Sequence, residues 1–413
     1  MKTPTNKDFD YAMTPIKVLS WPVGTWPLQT YNFVSGLRCA ISIVLLFAKM
    51  CKDKITQYCP LQLLMLLIVN TEMYLDHSDP EKNLDALLFI ACGILAIWKT
   101  LCFRVCCSGL VSNFTSALKD YNELLEQEKR TIVRQHAKMG RIACASVIFF
   151  SYLDSTIFTT IPMLAGEDEV AFSKSNVTQE DSLNYPIPSE VTLKFLQVPE
   201  SLYVVIYITE YLFLLITSTG NLGGDSLFFG IMFHLCGQAE VLKVDFDRFV
   251  EGTENLSQRF NALVLRHQEL LRLSEQLNET ISLVMVIQLF LSCILICTTE
   301  GFQCILSLSN NNIVMTVKTF SVVTTLLIQL FAYSYIGEYM KNQFDTVGYR
   351  AYCSDWYNIP CDLSRDIIFV LMRSQNPVQL KAGSFFVVNM ETYMGILKTS
   401  MSYLSVLRVM VTS

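Results

Sequence analysis

The chain has 413 residues, 52% of them hydrophobic and 16% charged, with a formal charge of −6 and a mean hydropathy of +0.37. This length could hold two or three soluble domains, but no polar block here exceeds about 60 residues, so an array of soluble domains is excluded. The net charge says little, because in a membrane protein the distribution of charge carries the information.

Apolar runs fall at 37–48, 63–75, 84–103, 142–164, 201–219, 283–306, 316–336 and 385–407. About 20 residues of helix rise roughly 30 Å, the thickness of a bilayer's hydrocarbon core. A serial array of such runs predicts an all-α membrane protein with a single membrane domain over 1–413. The arm before the first run, MKTPTNKDFDYAMTPIKV, has no apolar h-region, so no cleavable signal is expected and the first span targets the chain.

The first two runs are short, and KMCKDKITQYCPLQ (49–62, with Pro60) lies between them. They form one interrupted span, two spans, or a span and a re-entrant piece. The basic arm argues for seven spans in all.

Lys and Arg alternate between gaps. The N-terminal arm, the gap after 84–103, the gap after 201–219 and the gap before the last run together hold 21, Lys99 being counted among them at the run's edge. The other gaps hold 6: Lys49, Lys52, Lys54, Lys82, Lys174 and Lys194. The positive-inside rule then puts the N-terminus in the cytosol and, with seven spans, the C-terminus outside. That is opposite to a G-protein-coupled receptor. The acidic, proline-bearing gap 165–200 is an expected extracellular loop, with Asn176 of the sequon Asn176-Val177-Thr178 as its glycan acceptor. Sequons at Asn113, Asn255 and Asn278 fall on the cytosolic side and conflict with this assignment.

Most of the 14 cysteines sit in spans or cytosolic gaps, where thiols stay reduced. Cys51 and Cys59 share an outward gap. Cys106 and Cys107 border a span, as lipidation sites or as idle thiols. No CxxC and no clustered His appears, so no metal or other cofactor is expected, and no catalytic constellation emerges. Asp247-Arg248-Phe249 and Asn376-Pro377 imitate receptor motifs in the wrong places.

The cytosolic gaps carry amphipathic stripes: Val111, Phe114, Leu118, Tyr121, Leu125 and Val133 in one, Val244, Phe246, Phe249, Phe260, Leu263, Leu270, Leu273 and Leu277 in another. They read as span helices continuing below the membrane and packing together, the alternative being helices lying on lipid. Helical extensions at roughly 104–141, 221–280 and 337–384 would form a cytosolic anchor bundle, a natural platform for subunit contact.

Ionisable residues inside spans are Arg38, Asp154, Glu210, Glu300, Glu391 and Lys398. Each should face protein or water. Phe149, Tyr152, Thr156 and Phe158 lie in one span, and Tyr203, Tyr207 and Tyr211 line one face of the next. Such a wall suits a small apolar ligand with one polar group, or simple helix packing. In the last span, Thr399, Ser402, Tyr403, Val406 and Met410 share a face at helical spacing. Hydroxyls above an apolar ring suit a narrow pore, with the apolar residue gating by dewetting.

The tail NPVQLKAGSFFVVNMETYMGILKTSMSYLSVLRVM closely resembles the C-terminal signature of insect odorant receptors, of a hymenopteran tuning type. YAMTPIKVLSWPVGTWPLQ, KDYNELLEQEKRTIVRQHAKMGR and DIIFVLMRSQ support the likeness along most of the chain. The resemblance implies seven helices with a cytosolic N-terminus, matching the charge reading. It implies a tuning subunit that pairs with the common co-receptor, as a heterotetramer, in the plasma membrane of olfactory neuron dendrites. The assembly would be a non-selective cation channel gated by a volatile or cuticular hydrophobic ligand. Four last helices, roughly 385–410 here, would line the pore, with Val406 at the gate, Tyr403 above it and Val409 one turn on. Ser402-Tyr403, Arg408 and Val409 depart from the gustatory-receptor ending. The rival classes are a metabotropic seven-helix receptor and a membrane transporter.

Overall fold

The computed structural model describes residues 7–23, 25–28, 60–75, 80–105, 107–124, 126–172, 185–251, 255–298, 313–384 and 386–412. The run 37–48 with Arg38, the pair Cys51 and Cys59, His77, Cys106, Asn176 and Glu300 lie outside the described residues.

The described residues are almost wholly helical. In order come α1 (Lys7–Val23), α2 (Pro60–Leu75), α3 (Pro80–Val105), α4 (Cys107–Glu123), α5 (Gln127–Phe172) and the short α6 (Glu190–Phe195). Then follow α7 (Tyr203–Arg248), α8 (Leu256–Thr298), α9 (Ile313–Cys353), α10 (Cys361–Ser374) and α11 (Met390–Thr412). A two-stranded antiparallel hairpin, β1 (Lys381–Ala382) and β2 (Phe386–Val387), precedes α11.

Among the described residues, α3, α5, α7, α8 and α9 are long and apolar enough to cross a bilayer. Helices α5 and α7 each run 46 residues. At 1.5 Å per residue each is about 69 Å long, roughly twice the hydrocarbon core, so both must project beyond it. The polar, charged ends that project are the start of α5, the end of α7, the start of α8 and the end of α9, all at one end of the bundle.

The amphipathic stripes there pack on one another rather than lie bare: Phe114, Tyr121, Val133, Phe246, Phe249, Phe260, Leu270, Leu273 and Leu277 are all buried. Asp120 of α4 ties the ends together, accepting from His234 Nε2 of α7 at 3.0 Å and from Arg266 Nη2 of α8 at 2.6 Å. Burial nearby pushes the His267 imidazole down to about 4, with the positive Arg373 adding to the effect. Asn113 is buried as well, its amide donating to the carbonyls of Gly109 and Leu273. No glycan can occupy it, which removes one of the sequons that disagreed with the charge pattern.

Helix α7 is the axis of the bundle and is buried from Leu222 to Ala239 at every position but Gly230. Neighbours approach it where it has no side chain, as small residues allow in helix packing. A Cβ on Gly224 would sit 2.4 Å from the Phe103 ring, and one on Gly230 would sit 1.9 Å from Ile16. At the foot of α11, a Cβ on Gly337 of α9 would lie 2.2 Å from the backbone carbonyl of Val388.

One charge is placed differently from the sequence reading. Lys99 is not part of the exposed basic set, because its ammonium is fully buried against Asp225. The bias of the remaining basic residues keeps its direction without it.

Gly337→Ala should therefore destabilise the fold by about 1–3 kcal/mol, since a backbone oxygen cannot rotate away. Gly395→Ala, with nothing within 4 Å of the new methyl, should not. Thermal melting of the purified variants by size-exclusion fluorescence separates the two.

Candidate functional site

A cavity of about 130 Å³ lies inside the bundle, walled by five helices. Its lining residues recur at helical spacing on one face of each. Helix α3 supplies Leu88, Cys92 and Leu95, and α5 supplies Val147, Ser151, Asp154, Ser155 and Phe158. Helix α7 supplies Leu214, Ser218, Asn221 and Leu222, α8 supplies Gln288, Leu291, Ser292 and Leu295, and α9 supplies Val322, Thr325, Leu326 and Gln329. The rings of Phe89 and Phe158 meet edge-on at 5.4 Å in the wall.

Below the cavity a polar layer joins four helices. Lys99 Nζ donates to Asp225 Oδ1 at 2.6 Å, and both side chains are at most 2% exposed. Asp225 also accepts from the Tyr333 hydroxyl and, at 2.6 Å, from Gln329 Nε2. Gln288 Nε2 reaches Gln329 Oε1 at 3.2 Å and Ser292 Oγ at 3.0 Å. Burying a charge pair is stable only when its remaining hydrogen-bonding capacity is met, which Tyr333 and Gln329 do for this carboxylate.

Two cavity-lining amide side chains retain a buried oxygen without a hydrogen-bond partner among the described residues: Asn221 Oδ1 and Gln288 Oε1. The Asn221 amide nitrogen is held by the carbonyls of Cys92 and Thr217, both at 3.2 Å, so the oxygen is the end left over. A guest bearing a donor would satisfy it.

Of the seven aromatic and hydroxyl residues singled out from the sequence, Phe158 alone lines this cavity. Phe149 is 61% exposed on the outer surface. The Tyr152 hydroxyl pairs with Thr219 Oγ1 at 2.8 Å, and Thr156 back-bonds to the Tyr152 carbonyl. The rings of Tyr203 and Tyr207 meet at a tilt, 5.8 Å apart, and the Tyr207 hydroxyl donates to the Thr159 carbonyl. Tyr211 is half-buried. The tyrosines thus join α5 to α7 behind the wall. Phe158, from the same span, does reach the cavity. The missed signal was the set of small polar residues at helical spacing inside apolar runs, such as Ser151/Asp154/Ser155, Ser218/Asn221 and Gln288/Ser292.

Of the intramembrane charges, Asp154 accepts from Ser321 at the cavity wall. Glu210 accepts from Ser189 Oγ at 2.6 Å and Ile187 N at 3.2 Å. Glu72 of α2 accepts from the Val191 and Thr192 amides at the start of α6. The two glutamates clasp the segment 187–192 onto the bundle. Glu391 and Lys398 are exposed.

Helix α11 packs one side against the bundle through Tyr393, whose ring meets Phe331 of α9 at 5.7 Å, and through buried Ser400. The opposite side, with Thr399, Ser402 and Val406, is exposed in the single chain. The side chains of Tyr403 and Val409 lie outside the described set. The hairpin before α11 is strapped to α8: Asn278 Oδ1 accepts from Lys381 N, and Ser282 Oγ accepts from Gly383 N, each at 2.8 Å.

This is a multi-pass helical membrane fold with a ligand-sized chamber in its centre. The family model described as 7tm Odorant receptor matches residues 79–401, and the chain belongs to that family of seven-helix receptors. Odorant receptor 9a of Drosophila melanogaster is 30% identical over 50% of this chain and 52% of its own length. Odorant receptor 47a of the same species is 24% identical over 49% and 54%. The chain thus spans about half the length of these relatives. Odorant receptor 10 of Aedes albopictus is 16% identical over 72% and 77%. The solved olfactory receptor OR5 of Machilis hrabei, in complex with eugenol, superposes with a TM-score of 0.75 at 13% identity, over 96% of this chain and 99% of that one. Its structure without that ligand gives 0.72 at 15% identity. At such identities the likeness establishes the fold.

Removing one partner of the buried pair leaves the other charge stranded. Lys99→Met or Asp225→Leu alone should cost about 3–5 kcal/mol, and the double variant Lys99→Met/Asp225→Leu much less than the sum. A double-mutant cycle on thermal stability checks this.

Proposed function

We propose that the chain is a tuning subunit of an odorant-gated, non-selective cation channel, assembled with the common co-receptor in the plasma membrane of olfactory neurons. The observation that carries the reading is the internal cavity bounded by α8 and α9, the two helices that also hold α11. The central polar layer sits between them, at Gln288 and Gln329. Two residues past Gln329, Phe331 meets Tyr393 of α11. A ligand that binds better when α8 and α9 are apart would shift α11, and only such differential binding can open the pore.

The uncovered face of α11 is the pore wall in this reading, with Thr399, Ser402 and Tyr403 as its hydroxyl lining and Val406 and Val409 as its apolar ring. The basic end of the bundle faces the cytosol, so that the N-terminus is inside and 165–200 lies outside with Asn176 as a glycan site. Anchor residues Tyr349, Ile368, Phe369 and Met372, all exposed in the single chain, contact neighbouring subunits.

Cavity size narrows the ligand. An engineered protein cavity of about 150 Å³ takes up benzene, and this one, at about 130 Å³, is of that order. A compact ring or short chain fits, and an extended cuticular hydrocarbon does not without displacing side chains. The spare oxygens of Asn221 and Gln288 favour a guest with one hydroxyl, an alcohol or a phenol.

The metabotropic alternative is disfavoured by the buried Asn113, which an exterior N-terminal half would leave free for a glycan. A transporter would place broken helices at the midplane, whereas α5 and α7 run continuously through it.

The test is whole-cell current from the chain alone and with an insect co-receptor, across small alcohols, phenols and their O-methyl ethers. Fast cation currents on co-expression, insensitive to G-protein block and stronger for the hydroxylated members, are expected. Leu291→Trp, which fills the cavity, should lower the response at least tenfold at unchanged surface expression. G-protein-dependent responses from the chain alone would overturn the reading. Separately, Val406→Lys should change basal current or block gating, and unaltered currents in that variant would remove Val406 from the gate.

A further inference from the structure

We propose that the groove between α1 and the first turns of α5 is a binding site for a phosphorylated lipid headgroup. The groove encloses about 730 Å³ and is lined by Lys7, Asp8 and Tyr11 from α1 and by Arg130, Arg134 and Lys138 from α5. Successive steps of four residues put Arg130, Arg134 and Lys138 on one face of the helix, with Arg141 three further on.

The charge is unbalanced. Asp8, the one carboxylate among the described residues that line the groove, is already engaged by Arg130. Elsewhere at this end of the bundle several basic residues have acidic partners: Lys129 with Asp245 at 2.6 Å, Arg248 with Glu128 at 2.8 Å, Arg350 with Asp247 at 3.2 Å and Arg373 with Glu275 at 3.0 Å. Lys7, Arg134 and Lys138 form no ion pair among the described residues. Three unpaired cations beside a fourth repel one another, and a multiply charged anion is the species that relieves this.

The groove is also preformed. The Tyr11 ring lies 5.1 Å from the Arg134 guanidinium carbon and 4.3 Å from that of Arg141. Arg141 in addition donates to the Tyr11 carbonyl. Guanidiniums held on an aromatic face lose little freedom when they take up a phosphate, and their forked donors match its oxygens.

Depth decides for a lipid over a soluble phosphate. The apolar part of α5 begins at Ile142, so Lys138 stands about 6 Å of helix rise outside it, within a headgroup layer roughly 5–7 Å thick. Arg134, one turn lower, reaches that layer along its own stem. The other wall is seated on the membrane too, because α1 exposes Val18 and Trp21, an interfacial pair, at its far end. The assignment depends on the membrane boundary near 142 and not on the odorant reading, so the two fail separately.

Full-length chain reconstituted in phosphatidylcholine nanodiscs would be titrated with fluorescent short-chain phosphatidylinositol 4,5-bisphosphate, followed by polarisation. Saturable binding is expected, weakened at least tenfold by Arg134→Gln/Lys138→Gln and unchanged by Lys119→Gln/Arg272→Gln, exposed positions away from the groove. Should Arg134→Gln disturb folding through Tyr11, Lys7→Gln/Lys138→Gln alters two exposed side chains and should still weaken binding at least threefold. Equal binding by the wild type and the folded groove variants would overturn the site. Soluble inositol 1,4,5-trisphosphate binding as tightly as the lipid would overturn its assignment to a lipid.

Discussion

A lysine and an aspartate buried in the apolar middle of a membrane bundle would each be prohibitive alone, and the geometry around Lys99 and Asp225 follows from that constraint. The pair must be close, and the second oxygen and spare lone pairs of the carboxylate must be met. Tyr333 and Gln329 meet them, which fixes α9 against α7, while Lys99 fixes α3. Gln329 then receives Gln288, which brings in α8. Four helices are thereby held in one register by a single carboxylate, and the cavity is the space that this layer leaves above itself.

The second organising fact is the smoothness of α7. Its glycines let Phe103 and Ile16 sit where side chains would otherwise be. Close approach on every side explains why a helix of 46 residues is buried from Leu222 to Ala239 at every position but Gly230, although its C-terminal end is polar. Packing of this kind is stiff. Displacements at the cavity should therefore travel as movements of whole helices and not be absorbed locally, which suits a proposed transmission from α8 and α9 to α11.

Helix α11 is the least supported part of the bundle. It holds on through Tyr393 and Ser400 on one side, and the hairpin before it is tied to α8 by side-chain caps on backbone amides. Among the described residues, nothing covers its hydroxyl-bearing face at Thr399 and Ser402. A helix so attached has freedom to tilt, and the proposed pore role asks for that freedom and for neighbours that the single chain does not supply.

By itself the sequence determined the class of fold, because apolar length and the period of the amphipathic stripes follow from helix geometry and bilayer thickness, which need no partner. It also carried the family, through the long tail motif. The stripes at Phe114, Phe246 and Phe260 were legible for the same reason, and they are buried as the period requires. Tertiary structure alone decided which polar groups meet. Lys99 and Asp225 are 126 residues apart and no local pattern pairs them, so Lys99 read as an edge charge and Asp225 passed unnoticed. Tyrosines on one face of α7 looked like a ligand wall, yet the Tyr207 hydroxyl is spent on a helix contact, with the Thr159 carbonyl. A cavity is the volume that packing fails to fill, and five helices must be in place before Ser151, Asn221 and Gln288 face the same empty space.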